Sequence, residues 1–154
     1  CEDEVQVMSA GTGISHSEKN EKNIDCKLFQ IWIYPDAQNL KPSYNQMSIK
    51  NISGNNLIID SFKKNNSLLC INQEISIWRC KYNRLNEKYL PSEIKNFNWI
   101  QIIEGNLLIR DKNNKSNKYL SSGDGLGFEI YDFNDINIES DTEVDFLLFS
   151  MNNI

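Results

Sequence analysis

One histidine, His16, occurs in the chain, and Glu18 follows it two residues later in the stretch Ser9–Glu18, SAGTGISHSE. An imidazole nitrogen and a carboxylate oxygen together suit a borderline transition metal such as Fe, Ni, Cu, Mn or Zn. On a strand, residues two apart share a face, so His16 and Glu18 aim at one point while Ser17 points away. That alternation also rules out Ser17 and His16 as a nucleophile–base pair. Gly11 and Gly13 precede the pair and open backbone angles closed to other residues, letting the chain turn sharply into it. Judged on spacing alone, a lone histidine is more often a hydrogen-bonded structural or surface residue than a ligand.

The elements that must position this pair read as strands. Val5–Met8 is strand-like, and Phe29–Tyr34 alternates Phe29, Ile31 and Ile33 against Gln30, Trp32 and Tyr34 before Pro35 stops it. Residues 36–47 read as a polar connection. Further short strands are expected at Asn56–Asp60, Leu68–Ile71, Ile75–Lys81, Trp99–Ile103, Leu107–Arg110, Gly127–Ile130, Ile136–Ile138 and Val144–Ser150. Turn chemistry separates them at Ser53–Asn55, Glu104–Asn106, Asp111–Asn117 and Ser122–Gly125. Ser92–Asn96 alone has a weakly helical pattern. Many short strands at regular spacing predict an all-β sandwich or barrel.

Composition excludes other classes. The chain has 154 residues, 40% of them hydrophobic, enough for a sizeable core. A net charge of -5 argues against sequence-independent nucleic-acid binding, which needs cations to neutralise phosphates. No long apolar run spans a membrane, and no basic face offers itself to a membrane surface. The four cysteines, at positions 1, 26, 70 and 80, form no Cys-x-x-Cys, so a zinc site or redox dithiol is not expected. They read as reduced thiols of a cytoplasmic protein. The acidic residues Asp132, Asp135, Glu139, Asp141, Glu143 and Asp145 lack the spacing of a calcium loop and read as a solvated face. Trp32, Trp78 and Trp99 read as core residues of strands. Gly123-Asp124-Gly125 is a turn and not a phosphate loop.

The segment Glu4–Asn20, EVQVMSAGTGISHSEKN, resembles the second cupin motif of the pirin family. A Gly-x-Gly-x-x-His-x-x-x-Asn pattern is met by Gly11, Gly13, His16 and Asn20. Leu28–Pro35, LFQIWIYP, is similar to the family's next strand, and Pro42-Ser43-Tyr44 to the segment after it. Trp99–Gly105, Gly123–Gly125 and Phe146–Phe149 are similar to the C-terminal cupin of bacterial pirins. The resemblance covers nearly the whole chain. It implies an all-β, cupin-type fold, with residues 1–45 as the last strands of an N-terminal cupin and 46–154 as a C-terminal barrel. It implies a metal, commonly iron, held by three His and one Glu, of which His16 and Glu18 are two. The other two are a His-x-His pair on a strand expected before Cys1. Asp3 departs from the family, which usually has a glycine there.

With His16 the one histidine, a second cupin metal site in 46–154 is excluded and a core filled by side chains is expected. Completed, such a protein is expected to be a quercetinase-type dioxygenase of flavonols, with Glu18 as ligand or base. The shortened chain alone is expected to be inactive, and to be completed by another polypeptide or by strand swapping between copies. The alternatives are a metal- or redox-sensing regulator that contacts transcription factors, and a non-catalytic remnant.

Overall fold

A computed structural model describes residues 3–61, 69–112 and 115–152. Among the described residues there are twelve strands: β1 (Glu4–Ser9), β2 (Ser43–Ser48), β3 (Gly54–Ser61), β4 (Leu69–Ile71), β5 (Ile75–Tyr82), β6 (Leu85–Tyr89), β7 (Phe97–Glu104), β8 (Asn106–Asp111), β9 (Ser116–Ser121), β10 (Gly125–Glu129), β11 (Ile136–Ser140) and β12 (Val144–Met151). A short 3-10 turn at Phe133–Asp135 precedes β11, and the Asp132 carboxylate accepts from the Asn134 amide at its start. The strands form a six-stranded sheet ordered β10-β7-β12-β5-β3-β4, a four-stranded sheet ordered β6-β11-β8-β9, and a separate ribbon of β1 and β2. All pairings are antiparallel except β3 with β4.

One core lies between the two larger sheets. Val144, Phe146 and Leu148 from β12 meet Ile100 and Ile102 from β7, Ile136 and Ile138 from β11, and Leu107 and Ile109 from β8 there. The barrel interior is therefore filled by side chains. A second cluster lies on the opposite face of the six-stranded sheet, where Ile77, Leu147 and Phe149 are covered by Val5, Val7, Ile33 and Met47. Two buried faces explain why Val144–Ser150 is an unbroken apolar run interrupted only by Asp145 and Ser150: a strand covered on both sides has no polar face to alternate. The β1–β2 ribbon and Ile33 thus pack on the back of the sheet.

Four sequence expectations differ from this structure. Phe29–Tyr34 pairs with no strand among the described residues, and of its apolar face only Ile33 is drawn in while Phe29 and Ile31 stay 49% and 46% exposed. A strand needs a hydrogen-bonding neighbour as well as a pattern. Ser43–Ser48, read as connection, is β2, because pairing with β1 in register from Glu4↔Ser48 to Ser9↔Ser43 supplies what its polar sequence does not advertise. Ser92–Asn96 is a turn and bend, too short to nucleate a helix. β6 and β9 have polar sequences and escaped the pattern; β9 pairs with β8 across a turn expected to end at Asn117. Leu68, expected to open a strand, lies outside the described residues.

Two burial expectations also fail. Trp78 is a core residue, but Trp32 and Trp99 are 86% and 42% exposed. Asp145, expected on a solvated face, is 3% exposed because it sits opposite a cation, as described next.

Candidate functional site

The arm that carries His16 and Glu18 leaves the ribbon at the end of β1. Gly13 donates its amide to Ala10 at 2.7 Å, closing a tight turn, and Thr12 donates to the Leu40 carbonyl at 3.1 Å. Gly11 has φ +50°, and a Cβ there would lie 2.1 Å from the Leu40 oxygen. Only glycine lets the two backbones approach this closely. Beyond the pair, Asn20 closes a second turn: its amide group donates to the Ile24 carbonyl at 2.7 Å and its oxygen accepts from the Lys22 amide at 3.1 Å. The four positions of the glycine–histidine–asparagine pattern therefore act as two turns with the histidine between them.

His16 Nδ1 and Glu18 Oε1 stand 3.7 Å apart, with side chains 41% and 53% exposed. The segment between the turns is irregular and not a strand, so the convergence of the two side chains comes from the turns at either end. The pair is open to solvent and one nitrogen and one oxygen face each other. Among the described residues no group of three or more His, Cys, Asp or Glu comes together. The two donors fit a transition metal in type, and they amount to part of a ligand set.

The return segment after the arm is anchored to the six-stranded sheet. Asp36 donates its amide to the Asn72 carbonyl at 2.8 Å, Gln73 Nε2 donates to the Tyr34 carbonyl at 2.8 Å, and Ile33 enters the back cluster. Between arm and anchor, Ile24, Leu28, Phe29, Ile31, Trp32 and Tyr34 remain exposed. So many large apolar groups on one short segment exceed the scatter of a monomer surface.

Sequence reasoning missed the residue that fastens the ribbon. Arg79 on β5 donates to Asp145 on β12 from Nε at 3.0 Å and Nη2 at 2.6 Å, a fork-to-fork pair, and from Nη1 to Asp3 at 2.6 Å. The bond to Asp145, with Asp3 adding to it, raises the proton affinity of the guanidinium above its ordinary value despite burial. Asp3 has φ +57°, and its carbonyl accepts from the Ile49 amide at 2.7 Å, so one residue joins both ribbon strands to the sheet. A signal existed: Asp145 is the one charge within the largely apolar β12, and a charge at such a position calls for a partner. Cys26, Cys70 and Cys80 form no disulfide among the described residues, and burial pushes the Cys80 thiol up from its ordinary value.

The fold is that of a cupin-type β-sandwich. A solved structure of a bacterial pirin, YhhW from Escherichia coli in complex with nickel(II), superposes with a TM-score of 0.78 at 28% identity, over 99% of this chain and 62% of that one. The family profile described as the quercetinase C-terminal cupin domain matches residues 58–151, and the Pirin profile matches residues 2–33. The chain belongs to the pirin family. Among relatives, a protein named quercetin 2,3-dioxygenase from Escherichia coli K12 is 31% identical over 149 residues, 96% of this chain and 61% of that protein. A putative quercetin 2,3-dioxygenase of Pseudomonas aeruginosa is 54% identical over 41 residues, 27% of this chain and 18% of that one. The chain thus spans about 61% of the length of the first of these relatives. No helix among the described residues is long and apolar enough to cross a membrane.

Proposed function

We propose that this chain forms part of a metal-dependent dioxygenase of quercetinase type acting on flavonols, with His16 and Glu18 as two ligands of a divalent transition metal, iron in the first instance. The observation that carries this reading is the 3.7 Å His16–Glu18 pair, held between two turns in a segment that the Pirin profile matches. The nickel(II) of the similar E. coli structure supports a divalent ion, and the names of the relatives support the substrate class. In this reading residues 1–45 belong to a first cupin and residues 46–154 form the second.

Bound there, a metal supplies open positions that polarise substrate oxygens. The chain's own residues do the rest. Gly11 and Asn20 fix the turns that hold His16 and Glu18 side by side. In this reading Glu18, as ligand or released base, takes a phenolic proton from a flavonol hydroxyl; its half-exposed carboxylate supports the role. The remaining donors come from a polypeptide that packs against the exposed row of Leu28, Phe29, Ile31 and Trp32. Two protein ligands alone leave most of the coordination sphere to water, so the isolated chain binds metal weakly and is inactive.

Two measurements test this. Titrated with nickel(II), the 154-residue chain should bind weakly, and His16→Ala should abolish what binding there is; tight stoichiometric uptake by the chain alone would contradict a shared site. Supplied with protein that carries the missing donors, the metal-loaded chain should bleach flavonol absorbance under O₂, and His16→Ala should stop it. Absence of turnover across a set of flavonols would overturn the enzymatic reading. It would leave the regulator, for which the exposed apolar row and the net charge of -5 are the supporting observations, as a surface for protein contact.

A further inference from the structure

The strand β10, Gly125–Glu129, forms one edge of the six-stranded sheet, with β7 as its single neighbour. Hydrogen bonds at both ends of this pairing fix which way its backbone groups point. Ile102 donates its amide to Asp124 at 2.9 Å, and Ile130 donates to Asn96 at 2.9 Å. In an antiparallel ladder the bonding direction alternates. Even-numbered residues therefore face β7, and the amides and carbonyls of Gly125, Gly127 and Glu129 face outward. Among the described residues no strand lies on that outward side.

This edge lacks the usual guards. Charged residues, Pro or shortness normally blunt an edge strand. The opposite edge, β4, has three residues, and β9 carries Lys118. β10 reads GLGFE, with Glu129 as its one charge. Its two glycines are set by Trp99: a Cβ on Gly125 would lie 2.3 Å from the indole, and one on Gly127 3.3 Å from it. The half-exposed indole thus lies over the two glycines of the edge strand.

We infer that β10 is a self-pairing edge, and that its occupant is the β10 of a second copy of this chain, antiparallel and centred on Gly127. The register is self-complementary. Gly127 faces its own counterpart and Gly125 faces Glu129 of the partner subunit, so three residue pairs each exchange two hydrogen bonds. The like charges do not meet, because each Glu129 lies against a glycine and the glycine pair at the centre separates the two carboxylates. Asp124, next to the strand, has its carboxylate engaged by the Ser121 amide at 2.8 Å. On the inner face Leu126 lies opposite Phe128 of the partner subunit, extending the apolar core to which both already pack. On the other face the two Trp99 rings roof the seam over side-chain-free glycines.

Sedimentation equilibrium and amide hydrogen exchange on the full chain test this together. The mass should rise reversibly with concentration from monomer to twice that. The amides of Gly125, Gly127 and Glu129 should slow with it, while those of Leu126 and Phe128 stay protected throughout. Gly127→Pro removes one outward donor and, with Leu126 already extended, should give a folded monomer. A monomer at every concentration overturns the inference. So does a dimer that leaves the three outward amides unprotected, or one that survives Gly127→Pro. Protection of these amides by an extended basic peptide, without self-association, would also overturn it and make the edge a peptide site. The exchange experiment needs no variant, so it decides the matter even if Gly127→Pro does not fold.

Discussion

At the scale of single residues, the most consequential side chain is Arg79. It neutralises Asp145, whose side chain is 4% exposed, and it fixes Asp3 at the start of the ribbon. Removing the cation leaves a buried carboxylate without its partner, a loss of about 3–5 kcal/mol. Arg79→Met should therefore shift the urea midpoint strongly downward. Arg79→Met combined with Asp145→Asn should recover part of the loss, because the stranded charge leaves with its partner. An unchanged midpoint in the single variant would show that the pair carries no weight. The thiols give a second residue-scale expectation: Cys26 is exposed and Cys80 is buried with its pKa raised by that burial. Since the thiolate is the reactive form, a thiol reagent should label Cys26 in the native protein and Cys80 only after unfolding. The His16–Glu18 pair was legible because motif and residue type are local. The Arg79 clamp was not, because its three members stand 66 and 76 residues apart in sequence.

At the scale of elements, β12 is the strand on which the rest depends. It pairs with β5 and β7 and faces both apolar clusters. Phe146 has no exposed surface, and truncating it leaves a cavity between the sheets. Phe146→Ala should cost about 3–5 kcal/mol by thermal or chemical denaturation. Phe29→Ala, on an exposed segment, should leave stability nearly unchanged in the isolated chain. If both variants lost the same stability, the assignment of core and surface would be wrong. Strand patterns proved readable wherever one or two faces meet a core, as in β5, β7 and β12. They proved misleading at Phe29–Tyr34, where the pattern exists and no strand among the described residues pairs with it.

At the scale of the whole molecule, charge links stability to pH. The Glu139 carboxyl is held below its ordinary value of 4.5 by its hydrogen bonds to Arg110, at 2.7 and 3.1 Å. A group whose folded pKa is depressed contributes stability above its unfolded pKa and loses it as pH falls through the folded one. Both partners are partly exposed, so the contribution is below about 1 kcal/mol. Glu139→Gln should accordingly be less stable than the native chain near neutrality, and the difference should vanish in strong acid. A gap that persists at low pH would assign the effect to packing. The same scale bears on the proposed function: the arm after the ribbon holds His16 and Glu18 at the surface beside an exposed apolar row.

The sequence by itself determined the all-β cupin class, the pirin resemblance and the two donors of the candidate site, because periodicity, turn residues and short motifs are local. Only the tertiary structure decided which strands pair, that Trp99 lies exposed over two glycines, and that Asp145 is buried against Arg79. Pairing and burial depend on residues far apart in the chain. A polar segment such as Ser43–Ser48 becomes a strand when a neighbour satisfies its backbone, and an apolar one such as Phe29–Tyr34 fails to when none does.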